Sequence, residues 1–157
     1  SLDAAAYQQY HEVMSAMENE VTIMHQMINS LDEKRRQLER LMKQLPAESK
    51  YDVIRSEGTA LASRMKQWDE DMIQRKSKAY DDVENFPNKF TANYLFLINQ
   101  TESDIPRVNK PSLDLLNEYN AAWKVLQARA NEFVEKDIPT LNKKLWDAGL
   151  GAVWVIY

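Results

Sequence analysis

The chain has 157 residues and a net charge of −4, with 44% hydrophobic and 28% charged residues, a balance typical of a folded domain rather than a disordered segment. It has no cysteine, which excludes disulfides, thiolate metal sites and cysteine nucleophiles, and its three glycines and five prolines leave few turns for a sheet. The acidic balance argues against nucleic acid as a partner, and no apolar run approaches the roughly 20 residues that span a bilayer.

The opening of the chain predicts a long amphipathic helix over residues 4–45. Its apolar residues recur at alternating steps of three and four, which places them on one seam. Only Arg35 interrupts this seam, and Pro46 ends the helix. The seam residues are Tyr7, Tyr10, Met14, Met17, Val21, Met24, Ile28, Leu31, Leu38, Met42 and Leu45.

Three more helices are expected, over about residues 48–82, 87–102 and 112–148. The second has its seam at Ile54, Leu61, Met65, Trp68 and Met72, continuing to Arg75, with Gly58 at a core position where another backbone approaches. The third is shorter, and its segment "NYLFLI" is apolar on every side, which predicts a helix enclosed by its neighbours.

The fourth helix carries a seam of its own and is interrupted by a proline. We expect a kink at Pro139, which lacks a ladder donor and clashes with the preceding turn. Gly149 is expected in the left-handed conformation, with Leu150 folding back toward Leu145 in a Schellman-type cap. The seam residues are Leu116, Tyr119, Trp123, Leu126, Ala130 and Phe133, then Ile138, Leu141 and Leu145.

Together these elements predict an all-α fold, an up-down-up-down four-helix bundle with long helices and a shorter third helix. We expect residues 1–157 to form a single domain. Because the sequence opens "SL" directly into a helical pattern, it is interpreted as a fragment of a larger protein, with any signal peptide outside it.

The stretch "YDDVENFPNKF" collects acids, an asparagine, two phenylalanines and a proline between two helices. Its acids offer oxygen ligands for calcium, but the alternating acids, central glycine and closing glutamate of an EF-hand loop are absent. A structural corner is favoured, because Pro87 fits the first turn of a new helix, Phe86 and Phe90 can close the bundle end, and Asp82 or Asn85 can cap the helix. Contact with a partner is the remaining interpretation. The corner residues are Tyr80, Asp81, Asp82, Asn85, Phe86 and Pro87.

Other chemistry is weakly indicated. His11 and His25 are about 21 Å apart on one helix and cannot share a metal. Arg35 and Arg75 on the seams either pair internally, which is favoured, or bind an anion between helices. No catalytic residue, metal site or cofactor is predicted. The apolar tail, with Trp154, Ile156 and Tyr157, is expected to pack on the bundle or to dock on a partner.

Two stretches resemble one known family. "QRKSKAYDDVENFPNKFTANYLFLINQ" resembles the helical segment that follows the repeat domain in bacterial exported proteins with sortilin-like, Asp-box (BNR-type) β-propeller repeats, often labelled glycosyl hydrolases. "EKDIPTLNKKLWDAGLGAVW" is similar to the closing helix of the same region. The matching residues are Lys76, Ser77, Tyr80, Asp81, Asp82, Asn85, Phe86, Pro87 and Lys89 in the first stretch, and Asp137, Ile138, Pro139, Leu141, Asn142 and Gly149 in the second.

The resemblance implies a C-terminal helical domain behind a propeller, in the periplasm or outside the cell. The family's catalytic label belongs to the propeller, and no propeller repeat lies in these residues. We therefore expect a non-catalytic accessory domain that docks on the rest of its own chain, stabilises it or self-associates. The alternative is a free-standing periplasmic bundle that binds a ligand or signals.

Overall fold

The computed structural model describes residues 4–75, 89–103 and 108–150, and helices occupy nearly all of them. No strand occurs within these ranges, so the described chain is all-α and forms a helical bundle, as the sequence predicts. The described helices are α1 (Ala4–Gln44), α2 (Asp52–Met72), α3 (Phe90–Ser103), α4 (Lys110–Glu132) and α5 (Ile138–Asp147). The up-down-up-down order remains a prediction.

The chain divides into two compact units. The first comprises residues 1–26 and 70–125, and the second comprises residues 27–69 and 126–157. Helices α1, α2 and α4 therefore each contribute residues to both units. The expectation of a single domain remains a prediction.

The first unit packs α3 against parts of α1 and α4. The Tyr94 hydroxyl donates to Asn120 Oδ1 at 3.0 Å, and the Trp123 indole N–H donates to Glu20 Oε2 at 2.7 Å. Tyr94 and Trp123 are both buried, so these bonds satisfy polar atoms that would otherwise be costly in the core. The buried apolar residues of this unit are Met14, Met17, Met24, Met72, Tyr94, Leu97, Ile98, Leu116 and Trp123.

The second unit packs α1, α2 and the α4–α5 region. The Trp68 indole N–H donates to the Leu126 carbonyl at 2.8 Å, and Lys144 binds the exposed carboxylate of Glu57. The buried apolar residues are Ile28, Leu31, Leu38, Met42, Leu45, Tyr51, Ile54, Leu61, Ala62, Met65, Trp68, Ala130, Phe133, Ile138, Leu141 and Leu145. The seams predicted for α1 and α2 are thus largely confirmed. The apolar exceptions on the α1 seam are Tyr7, which is 44% exposed, and Tyr10 and Val21, which are only partly buried.

Several helix boundaries differ from the sequence prediction, and α2 begins at Asp52 and α3 at Phe90, each a few residues later than expected. Helix α2 ends at Met72, and residues 73–75 are not helical. The Thr91 hydroxyl of α3 donates to the Met72 carbonyl at 2.8 Å, so a residue of another helix binds the end of α2. α4 begins at Lys110, before Ser112, because the Asn109 side chain accepts the Ser112 backbone N–H at 2.9 Å. Asn109 is therefore the N-cap, and Pro111 lies within the first turn, where its missing donor costs nothing.

The disturbance expected at Pro139 takes the form of a π-helical turn, Phe133–Asp137, that joins α4 to α5. The Ile138 backbone N–H donates to the Phe133 carbonyl, five residues earlier, which widens the ladder just before the proline. The apolar spacing shows the same feature. Steps of three and four along α4 give way to one step of five, from Phe133 to Ile138, before they resume.

The Schellman cap at the end of α5 is confirmed. Gly149 has φ = 76°, in the left-handed region. Its N–H donates to the Trp146 carbonyl at 2.9 Å, and the Leu150 N–H donates to the Leu145 carbonyl at 2.8 Å. These two bonds satisfy carbonyls that the helix end leaves without partners.

The prediction that α3 is enclosed on every side is wrong. Its buried face includes Tyr94 and Leu97, but Leu95 and Phe96 on the other face are 41% and 63% exposed. The sequence is apolar on both faces, whereas the first unit covers only one of them.

Candidate binding groove

A groove of about 880 Å³ lies in the second unit, beside the turn between α1 and α2. Its floor is formed by Met42 of α1, Leu45 just after α1 and Ala62 of α2, all largely buried. Its rim is polar, with Lys43 and Lys66 on the two helices and Arg55 near the turn. Small side chains on α2, Thr59 and Ser63 among them, leave the groove open along that helix.

The turn that shapes the groove follows from Pro46, which cannot continue the helical ladder of α1. The Pro46 carbonyl accepts the Glu48 N–H at 2.8 Å and Arg55 Nη2 at 2.6 Å. A single 3₁₀ turn, Ser49–Tyr51, then leads into α2, with the Tyr51 side chain buried. Arg55 is thereby held between the turn and the groove.

The floor depends on a close approach between Gly58 of α2 and Met42 of α1. A Cβ atom at Gly58 would lie 2.2 Å from Met42 Sδ, far inside van der Waals contact. The sequence predicts a close backbone at this glycine, and the neighbour is instead a buried methionine side chain. Glycine here lets α2 pack directly on Met42.

Among the described residues around the groove, the acidic side chains are in ion pairs, whereas two of the basic side chains are not. The Glu39 carboxylate accepts from Arg35 at 2.8 Å, and the Asp52 carboxylate accepts from Arg55 at 2.9 Å. Lys43 and Lys66 have no ion pair within the part of the chain that the structure describes. Both acids of the lining are therefore paired, while two lysines on opposite walls present uncompensated positive charge.

Of the two seam arginines, Arg35 pairs internally, which is the favoured interpretation of the sequence. It binds Asp32 at 2.7 Å and Glu39 at 2.8 Å. Burial opposes the charge of the guanidinium, but the hydrogen bonds and charges of the two carboxylates outweigh this and raise the pKa of Arg35. Arg75 lies beyond the end of α2 and is exposed, so the seam does not extend to it.

The corner residues Tyr80, Asp81, Asp82, Asn85, Phe86 and Pro87, and the tail residues Trp154, Ile156 and Tyr157, lie outside the described residues. Phe90, at the edge of the corner, is described. Its ring stacks on Trp123 with centroids 6.3 Å apart and meets Tyr119 edge-on at 6.1 Å. Phe90 therefore joins an aromatic cluster in the first unit.

Neither histidine belongs to a metal-binding cluster formed by the described residues. His11 is exposed and packs edge-on against Tyr10, with centroids 5.6 Å apart. Across residues 4–75, 89–103 and 108–150, no group of three or more histidine and acidic side chains is placed to hold a metal ion. No helix in the same ranges is both long enough and apolar enough to cross a membrane.

Sequence reasoning missed the groove and several buried polar residues. Lys34 is 6% exposed and donates to Ser30 Oγ at 2.7 Å, although it stands beside the predicted seam rather than on it. Asp69 is 5% exposed within an acidic run. The small residues of α2 at Thr59, Ala62 and Ser63, facing the basic end of α1, were the available signal for the groove.

Comparison with known proteins found no matching family model, no similar curated protein and no similar solved structure.

Proposed function

We propose that this chain is a non-catalytic helical interaction domain of a larger exported β-propeller protein, and that it associates with a second copy through one face of α3. The propeller context and the location outside the cytoplasm rest on the sequence resemblance alone. The observation that supports an interaction role is the exposed apolar face of α3.

This α3 face consists of Ala92, Leu95, Phe96 and Asn99. Their spacing, i, i+3, i+4 and i+7, puts them on one side of the helix, and all four are exposed. Phe96 is 63% exposed, an unusual state for a large aromatic side chain in a helix whose other face is buried. A second apolar stripe of this kind is typical of a surface that binds another protein.

A second copy is the occupant that the charges favour. Among the 14 residues of α3, only Glu102 is charged, although the whole chain carries a net charge of −4. Two acidic molecules repel each other over most of their surfaces, but two α3 faces can meet without opposed like charges. Such self-complementary pairing is the commonest symmetry of soluble oligomers.

The test is light scattering at several protein concentrations on the wild type and on a Leu95→Ser/Phe96→Ser double variant. We expect concentration-dependent association in the wild type and a monomer in the variant. Val125→Ser is the matched control, because Val125 is 63% exposed but lies on α4. Association that survives in the double variant would contradict the proposal, and removal of residues 152–157 tests the tail separately.

A second candidate function, a free-standing periplasmic bundle that binds a ligand, is favoured by the groove of about 880 Å³ in the second unit. The parent reading frame distinguishes the two candidates. Propeller repeats upstream support the first, and transmembrane segments on either side of the bundle support the second.

A further inference from the structure

We infer that the groove between α1 and α2 binds a single-chain amphipathic anion, a molecule with one alkyl chain and a carboxylate or phosphate head group. This inference is independent of the pairing proposed for α3, because the groove residues 39–66 all lie in the second unit.

The dimensions of the groove suit a small elongated ligand. Its volume of about 880 Å³ falls within the range of roughly 300–1,000 Å³ that is usual for small-molecule sites. Its lining on α2 runs from Asp52 to Lys66, which corresponds to about 21 Å of helix. An extended chain fills such a groove better than a compact ring does.

The floor and the rim point to two parts of one ligand. Met42, Leu45 and Ala62 have no side-chain hydrogen-bonding group, and the 5–9% of each that stays exposed on the floor matches an alkyl chain. Lys43 lies on the α1 wall and Lys66 on the α2 wall, and the aliphatic stem of either lysine can cover the chain while its ammonium group meets the head group.

The pairing of the acids explains why the head group is an anion. Glu39 and Asp52 are the carboxylates of the lining, and arginines already hold both. A cationic head group would compete with Arg35 or Arg55 for them and would meet the two lysines. An anionic head group instead gains a lysine that has no ion pair among the described residues, either Lys43 or Lys66.

The experiment is isothermal titration calorimetry with dodecanoate below its micellar concentration at low ionic strength. We expect dodecanoate to bind the wild type. Dodecyltrimethylammonium, which has the same chain length and the opposite charge, should bind at least tenfold more weakly than dodecanoate. A Lys43→Glu/Lys66→Glu variant should lose at least tenfold in dodecanoate affinity. Lys136→Glu/Lys143→Glu is the matched control, since these lysines are exposed in the second unit outside the groove.

A second pair of variants tests the position of the alkyl chain. Ser63→Trp places a large ring over the groove from an exposed position and should abolish binding, whereas Ala60→Trp, exposed on α2 but outside the lining, should not. Circular dichroism confirms that each variant remains helical. A parallel titration with lauroyl lysophosphatidic acid shows whether the phosphate of a lipid or a free carboxylate binds more tightly.

The inference is overturned if dodecanoate does not bind the wild type. It is also overturned if dodecanoate binds both Lys43→Glu/Lys66→Glu and Ser63→Trp as tightly as the wild type. Loss of self-association in Lys43→Glu/Lys66→Glu, without any dodecanoate binding, would assign the groove to a second copy and overturn it as well. Undiminished dodecanoate binding by Leu95→Ser/Phe96→Ser shows that the groove acts apart from the α3 face.

Discussion

At the scale of single residues, both units use the polar atom of a buried aromatic side chain to bond a neighbouring helix. Trp123 donates to Glu20 in the first unit, and Trp68 donates to the Leu126 carbonyl in the second. Each bond joins residues far apart in the chain and has only one suitable geometry. Apolar packing alone tolerates sliding, so these bonds help to specify one arrangement within each unit.

Tyr94 makes the first unit sensitive to alkaline pH. Burial, together with the negative charge of Glu20, raises the pKa of Tyr94 to about 12 from its ordinary value near 10. The protonated phenol is the form that the fold favours, so its contribution is fully present below about pH 10. It is lost as pH rises from there through 12, by up to about 2–3 kcal/mol.

We therefore expect the free energy of unfolding, measured by urea titration, to fall less steeply between pH 10 and 12 in Tyr94→Phe than in the wild type. The slope is compared rather than the level, because the variant also loses the bond to Asn120. Tyr7→Phe, at an exposed position, should keep the wild-type slope. Equal slopes in all three proteins would show that Tyr94 is not protected from ionisation.

A larger side chain at Gly58 requires the Met42 side chain to move. A Cβ atom there would lie 2.2 Å from Met42 Sδ, so Gly58→Leu should cost about 1–3 kcal/mol through overpacking. Ala60→Leu, on the exposed side of α2, should change stability by less than about 0.5 kcal/mol.

A double-variant cycle with Met42→Ala tests whether the two residues are in contact. Shortening Met42 should make Gly58→Leu much less destabilising than it is in the wild type. Strictly additive effects in urea denaturation would argue against the contact.

At the scale of helices, the π-helical turn keeps α4 and α5 in phase with one core. In an uninterrupted α-helix, the five-residue step from Phe133 to Ile138 would rotate the following seam away from the preceding one. The π turn absorbs one extra residue, so that Ala130 and Phe133 are buried together with Ile138 and Leu141. It also widens the ladder where Pro139 would clash.

Deletion of Lys136, an exposed residue of the π turn, combined with Pro139→Ala should therefore convert the region to regular α-helix. We expect the free energy of unfolding of this combined variant to lie within about 1 kcal/mol of that of Pro139→Ala alone, because the buried seam keeps its phase. Deletion of Lys124, exposed within the regular part of α4, should turn the following seam by about 100° and destabilise the fold by several kcal/mol. Similar thermal midpoints for the two deletions would contradict this role of the π turn.

The helix boundaries show which local sequence signals were strong enough to predict where a helix begins or ends. The seam of α1, the stop at Pro46 and the Gly149 cap follow from periodicity, proline and glycine, which act locally. The start of α4 depends on Asn109 as an N-cap, a residue that also suits a loop. The end of α2 depends partly on Thr91, a residue of another helix, and so cannot be read from α2 itself.

At the scale of the molecule, periodicity predicts the all-α class because each seam needs only its own helix. It does not predict which face of α3 remains exposed, since "NYLFLI" is apolar all round and only the neighbours decide. The groove was likewise missed, because its walls belong to two helices, α1 and α2, and the way two helices pack is a property of the folded chain. Its ion pairs, Arg35 with Glu39 and Asp52 with Arg55, each lie within one helix and are compatible with the sequence spacing.

Single-cysteine cross-linking shows directly whether two copies meet through the α3 face, because the chain has no cysteine of its own. Asn99→Cys lies on the α3 face and Val125→Cys lies outside it, and both positions are exposed. At a protein concentration where light scattering detects association, we expect a short bismaleimide reagent to give a covalent dimer of Asn99→Cys and to leave Val125→Cys a monomer. A monomer for Asn99→Cys, or equal dimer yields from both variants, would contradict it.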